Sequence, residues 1–258
     1  MVPRLEALDS PTVATRGTVG FKRFLAFSGP AYLVSVGYMD PGNWATDLEA
    51  GARFGYRLLW VLVLSNLMAI VLQTLSARLG LATGRDLAQT CRHRYPRPIN
   101  LALWFLCEIA IAACDLAEVL GVAIGLNLLF KIPLLAGVAI AALDTLLILG
   151  LSRYGIRVLE RVVLALVVVI GTCFGLQIFL AKPVFSEVIG GLVPSLSSES
   201  LFVAIAMLGA TVMPHNLYLH SALVQTREIG EGDASKLIAA RYNLYDSVLA
   251  LNVALLVN

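Results

Sequence analysis

Seven long apolar runs alternate with polar stretches along the chain. They fall at residues 24–54, 58–84, 99–130, 133–151, 156–180 and 201–224, and the last begins near Leu237 and is still running at Asn258. A helix needs about 20 mostly apolar residues to cross a bilayer, so each run is predicted as a membrane span. Between them, 85–98 is basic and punctuated by proline, which predicts a loop with room for a short surface helix. Residues 182–200 form a Gly/Pro/Ser-rich connector, and 227–235 a polar loop. Residues 1–21 are polar, hold Pro3, Pro11, Gly17 and Gly20, and are predicted as a loose tail. No short apolar region with a small-residue cleavage site precedes the first run, which argues against a removable signal peptide. The pattern predicts an all-α membrane protein.

Two of these runs are interrupted in the same way. Asp40-Pro41-Gly42-Asn43 lies inside the first, and Met213-Pro214-His215-Asn216 inside the sixth. Proline removes a backbone donor and glycine disfavours helix, so both spans should break there, at Pro41, Gly42 and Pro214. At membrane depth, unwound backbone is tolerated only where protein covers it or a cavity waters it. Spans one and six run in opposite senses. Paired discontinuous helices of this kind mark transporters built from two five-helix repeats of inverted topology, with the substrate near the midplane. The expected organisation is therefore a cytoplasmic tail at 1–21, a first repeat at 22–181, and the start of a second repeat at 182–258, incomplete because the chain ends within the seventh span.

Composition supports the membrane reading and narrows the partners. The chain of 258 residues is 59% hydrophobic and 14% charged, against about 25% charged in a typical soluble domain. A net charge of +2 and the absence of an aromatic-basic module give no sign of nucleic acid. All of the 19 Lys and Arg residues except Arg53, Arg57, Lys131 and Lys182 fall on the side of the tail, which places the N-terminus in the cytoplasm. Cys91, Cys107, Cys114 and Cys173 show neither metal-ligand spacing nor a disulfide framework.

The chemistry available at the breaks is an Asp carboxylate, an Asn amide oxygen, freed carbonyls near Ala210 and the Met213 thioether. Oxygen donors suit many divalent cations, and thioether sulfur prefers softer ones. The mixed set therefore favours transition metals over Mg²⁺ or Ca²⁺. Each residue also has a plainer reading: Asp40 and Asn43 fit helix caps, and Met213 alone is ordinary core filler. An intramembrane acid is nonetheless a functional candidate by default.

These two motifs, together with the surrounding Gly209-Ala210-Thr211-Val212-Met213 and Leu217-Tyr218-Leu219-His220-Ser221, resemble the Nramp family of proton-coupled divalent metal transporters, of the bacterial manganese type. The resemblance runs from about Lys22 to the last residue. It implies a LeuT-like inverted-repeat fold with discontinuous first and sixth spans. It also implies that Asp40, Asn43, Met213 and the Ala210 carbonyl bind Mn²⁺ or Fe²⁺ as a transported substrate, with no cofactor. Relatives that carry Mg²⁺ or Al³⁺ lack this methionine. The family has eleven or twelve spans, so later spans, or their equivalent, are expected to complete the site. The expected setting is the inner plasma membrane of a bacterium.

Three acids occupy the third span. Asp115 and Glu118 are three apart and share a helix face, and Glu108 lies two turns earlier on roughly that face. Such a seam suits either a proton relay or ion pairing to other spans. The family resemblance tips Asp115 and Glu118 towards the proton route. His215 and His220, five apart, do not share a face well and lack a metalloprotease pattern. The resemblance implies a role for them in coupling or gating. Asp47 and Glu49 could draw cations to an outer vestibule or simply solvate a helix end. Asp144 has no evident function.

Other readings are a Na⁺-coupled amino-acid carrier on the same scaffold, an intramembrane aspartyl enzyme using Asp40 and Asp115, and a metal-sensing receptor. Against the carrier, a fixed anion at Asp40 would repel a substrate carboxylate. The enzyme lacks a second catalytic motif.

Overall fold

The computed structural model of the chain describes residues 13–14, 29–152, 154, 156–228 and 232–258. Most of the predicted tail, residues 24–28 of the first apolar run and the side chain of Asp144 lie outside the described residues. The helices are α1 (Pro30–Val36), α2 (Pro41–Phe54), α3 (Leu59–Thr83), α4 (Leu87–Arg94), α5 (Arg97–Phe130), α6 (Leu134–Ser152), α7 (Ile156–Ala181), α8 (Phe185–Gly190), α9 (Ser198–Thr211), α10 (Pro214–Leu223) and α11 (Asp233–Val257). Both expected breaks are present. Residues 37–40 separate α1 from α2, and Val212 and Met213 separate α9 from α10.

Local chemistry explains the boundaries. Pro41 and Pro214 open α2 and α10, where their missing N–H groups cost nothing. Ser197 and Ser200 form a capping box at the start of α9. The Asp86 carboxylate caps α4 by accepting from the Gln89 backbone N–H at 2.7 Å.

Four departures from the hydropathy pattern have physical causes. A 3₁₀ turn at Gly55–Leu58 joins α2 to α3, so the first and second spans run together as one apolar stretch, Pro41–Thr83. The connector contains a short helix, α8, held because the Trp60 backbone N–H donates to the Gly191 carbonyl at 3.1 Å. The last helix starts at Asp233, ahead of the expected Leu237, with a polar first turn whose Lys236 Nζ donates to the Ala82 carbonyl at 2.9 Å. Val13–Ala14 and Arg227–Glu228 pair as parallel strands, which composition alone did not signal. Among the described residues, 4 stretches are long and apolar enough to cross a membrane. The polar residues Asn243, Asp246, Ser247 and Asn252 keep α11 from joining them.

The two broken spans lie against α3. One core joins Ala50, Leu58 and Val61 to Val203, Ala204 and Met207, binding α2 and α3 to α9. A second joins Val34, Tyr38 and Ala69 to Leu251, Ala254 and Val257, binding α1 and α3 to α11. Ala50, Ala69, Ala204 and Ala254 punctuate these seams of larger Val, Leu and Met side chains and let the backbones approach, as in membrane helix pairs. The fully buried Asp246 of α11 accepts from the backbone N–H groups of Gly29 (3.3 Å) and Ala31 (3.2 Å), and so caps α1 from outside its own segment. Leu106, Leu135, Leu147 and Phe179 on α5 to α7 point outward, as lipid-facing residues do.

Candidate metal centre at the two helix breaks

Asp40 is the N-cap of α2. Its Oδ1 accepts from the Asn43 backbone N–H at 2.8 Å and from Asn43 Nδ2 at 2.7 Å. Capping therefore occupies one carboxylate oxygen only. The other, Oδ2, has the Cys114 thiol of α5 at 3.7 Å. Asp40 is 6% exposed and Asn43 fully buried.

The amide of Asn43 ties this break to the second one. Its Nδ2 also donates to the Ala210 carbonyl at 3.2 Å, and its Oδ1 accepts from Thr211 Oγ1 at 3.2 Å. On the other side, Gly37 at the end of α1 abuts Asn216: a Cβ there would sit 2.5 Å from Asn216 Nδ2. Asn216 in turn donates to Met213 Sδ at 3.5 Å. Met213, Asn216 and Thr211 are all buried. Asn43 thus touches both Asp40 and Ala210, and Met213 is linked to the first break through Asn216. Among the described residues, no group of three His, Cys, Asp or Glu side chains could hold a metal. The mixed oxygen and sulfur set at the breaks is the available donor set.

The expected proton-route residues divide. Glu118 lies within electrostatic reach of Asp115 and Asp40, and His215 within reach of the same two carboxylates. Asp115 and Glu118 sit on α5, whose Gly121 packs against the Pro41 ring. The described contacts do not bring Glu108 to this group. It is exposed beside Cys107, earlier on the helix. His220 is fully buried in a separate network. Gln73 Nε2 donates to Tyr38 Oη at 3.0 Å, leaving Gln73 Oε1 to accept from His220 Nδ1 at 2.8 Å. Asn243 Nδ2 lies 3.1 Å from His220 Nε2, so the ring is satisfied as a neutral imidazole. Asn258 Nδ2 closes the chain on the Tyr38 carbonyl at 2.6 Å. This network fastens the first break, through Tyr38, to α3, α10 and α11.

Sequence reasoning did not assign Thr211, Asn216, Cys114 or Gln73 to the site. Asn216 had a signal, since it occupies in the second X-Pro-X-Asn the place of Asn43 in the first. Gln73 was visible only as a polar insertion in an apolar run.

Residues 31–258 match the family model described as "Natural resistance-associated macrophage protein-like" (Nramp). The chain is 57% identical over 258 residues to the "Divalent metal cation transporter MntH" of Xanthomonas campestris, covering 98% of this chain and 58% of that protein. It is 54% identical over 246 residues to the "Natural resistance-associated macrophage protein 2 homolog" of Dictyostelium discoideum, covering 95% of this chain and 39% of the relative. Among solved structures, a mutant of the Eremococcus coleocola manganese transporter matches with a TM-score of 0.88 and 42% identity, over 98% of this chain and 53% of that one. The chain spans about half the length of the relatives it matches. The helix order and this match give it the LeuT-like fold. The chain belongs to the Nramp family of membrane proteins.

Proposed function

We propose that the chain works as part of a secondary transporter that moves divalent transition-metal ions, Mn²⁺ or Fe²⁺, inward together with protons. The observation that carries this reading is the Asn43 side chain, which joins the Asp40 carboxylate to the Ala210 carbonyl across the two helix breaks. The names of the relatives, divalent metal cation and manganese transporters, support it.

Every ligand of the proposed site now satisfies a neighbour. Asn43 holds Asp40 Oδ1 and the Ala210 carbonyl, Thr211 holds the Asn43 oxygen, and Asn216 holds the Met213 sulfur. A dication that sheds part of its water shell must therefore exchange with these hydrogen bonds. Rotation of the Asn43 amide releases the Ala210 carbonyl and the Asn43 oxygen together, and leaves Asp40 Oδ1 with the Asn43 backbone N–H alone. The cost of ordering the site is already met by capping, which keeps the ligands converged while the ion is away. The thioether supplies preference for softer cations over Ca²⁺.

Protons travel by Asp115 and Glu118, with His215 beside them and His220 adjusting the inner half of the sixth span. The setting is a bacterial inner membrane with the N-terminus in the cytoplasm, supported by the one-sided distribution of Lys and Arg. Metal uptake into proteoliposomes, with and without a pH gradient, tests the proposal alongside calorimetry. Asp40→Ala should abolish Mn²⁺ binding and uptake, and retained binding would refute the assigned role.

A further inference from the structure

Both carboxylate oxygens of Asp47 are buried and have no hydrogen-bond partner among the described residues. Glu49, two residues on, behaves differently: it lies exposed and bridges Arg53 at 2.8 Å. The two acids therefore do not share the role of solvating a helix end. A buried carboxylate without a partner is expensive, and a group kept in that state calls for a reason.

Its position supplies one. Asp47 lies four residues beyond Asn43, one turn further along the same face of α2. A rise of 1.5 Å per residue puts it roughly 10 Å beyond Asp40, away from the cytoplasmic half-helix α1. The Asp40 carboxylate is close enough to act on it electrostatically. One turn further, the face turns apolar, with Ala50 and Phe54 packed against Val203, Ala204 and Met207. Along one helix face the order is therefore metal ligand, unpaired carboxylate, apolar seal. Two like charges in line, the outer one unneutralised, suit a cation that passes through.

We propose that Asp47 is a relay ligand, which takes the incoming dication on the outer side of the site and hands it to Asp40. The proposal rests on the reading of Asp40 and Met213 as the transported-ion site. An oxygen donor alone does not separate hard from soft cations, so the relay treats Ca²⁺ and Mn²⁺ alike and leaves selection to the sulfur.

The test compares Asp47→Asn and Asp47→Glu with the parent in proteoliposomes and by calorimetry. Asp47→Asn should retain equilibrium Mn²⁺ binding, weakened only modestly by loss of the neighbouring charge, because no resting ligand is touched. Initial uptake at low Mn²⁺ should fall roughly tenfold, as when an attracting charge is removed from an access route. The Mn²⁺ to Ca²⁺ preference should hold, Asp47→Glu should recover part of the uptake, and the melting temperature of Asp47→Asn should not fall. Unchanged uptake overturns the proposal. So does a destabilised Asp47→Asn without rescue by Asp47→Glu, which would mark a structural ion pair, and so does loss of calorimetric binding, which would make Asp47 a resting ligand. Failure of the underlying reading shows separately, as an Asp40→Ala variant that still binds and transports.

Discussion

The most exacting prediction concerns Gly121, where α5 touches the first break. A Cβ added there would lie 2.5 Å from both Cβ and Cγ of Pro41. Carbon atoms pack at about 3.5–4.0 Å, so the two helices must separate by roughly 1 Å or more. The proline ring has no rotamer to yield, and Pro41 is fixed at the first turn of α2. Overpacking of this kind costs about 1–3 kcal/mol, against a gain of roughly 1 kcal/mol from replacing a helical glycine by alanine. Cys114 stands two turns before Gly121, so the same separation draws its thiol away from Asp40 Oδ2. If about 1.4 kcal/mol of that cost falls on the metal-binding state, Mn²⁺ affinity drops about tenfold. Calorimetry with Mn²⁺ on Gly121→Ala measures it. Gly125→Ala, one turn further on α5 where a Cβ would meet nothing within 4 Å, is the control and should bind as the parent does. Parent-like affinity in Gly121→Ala, or equal loss in both variants, would refute the claim that this close approach shapes the site.

Two further substitutions probe other parts of the account. Met213→Ala should lose discrimination against Ca²⁺ in competitive uptake while Mn²⁺ binding weakens only moderately, and intact Ca²⁺ rejection would remove sulfur from the mechanism. His220→Ala leaves Gln73 Oε1 and Asn243 Nδ2 without their shared partner, and unsatisfied buried groups cost about 1–3 kcal/mol each. Its melting temperature should fall clearly, and a thermal scan matching the parent would show that the network does not hold the first break to the three helices around it.

How much of this was legible in the sequence follows from the range of each signal. The breaks were, because Pro41, Gly42 and Pro214 act on their own backbone. The choice between cap and ligand for Asp40 was not decidable from spacing, and the structure shows why it need not be exclusive: Oδ1 caps while Oδ2 remains. Glu49 and Asp47 looked equivalent as neighbouring acids on one helix, yet one is exposed and bridges Arg53 while both oxygens of the other are buried. The His220 network joins Tyr38 of the first break to Gln73 and Asn243 of two other helices, and no local pattern encodes which polar insertion meets which. Gly121 and Gly37 were silent for the same reason, since only the neighbour at 2.5 Å gives an absent side chain its meaning. The short helix α8 was hidden by connector composition rich in Gly, Pro and Ser.

The central claim is that two interrupted helices converge a carboxylate, an amide, a carbonyl and a thioether on one dication. Anomalous scattering at the manganese edge, from crystals grown with Mn²⁺, tests it most directly. The account predicts one strong peak bonded to both Asp40 and Met213, with the Asn43 amide rotated away from the Ala210 carbonyl. A peak at Asp115 and Glu118 instead, or none between the breaks while Asn43 keeps its present hydrogen bonds, would contradict it.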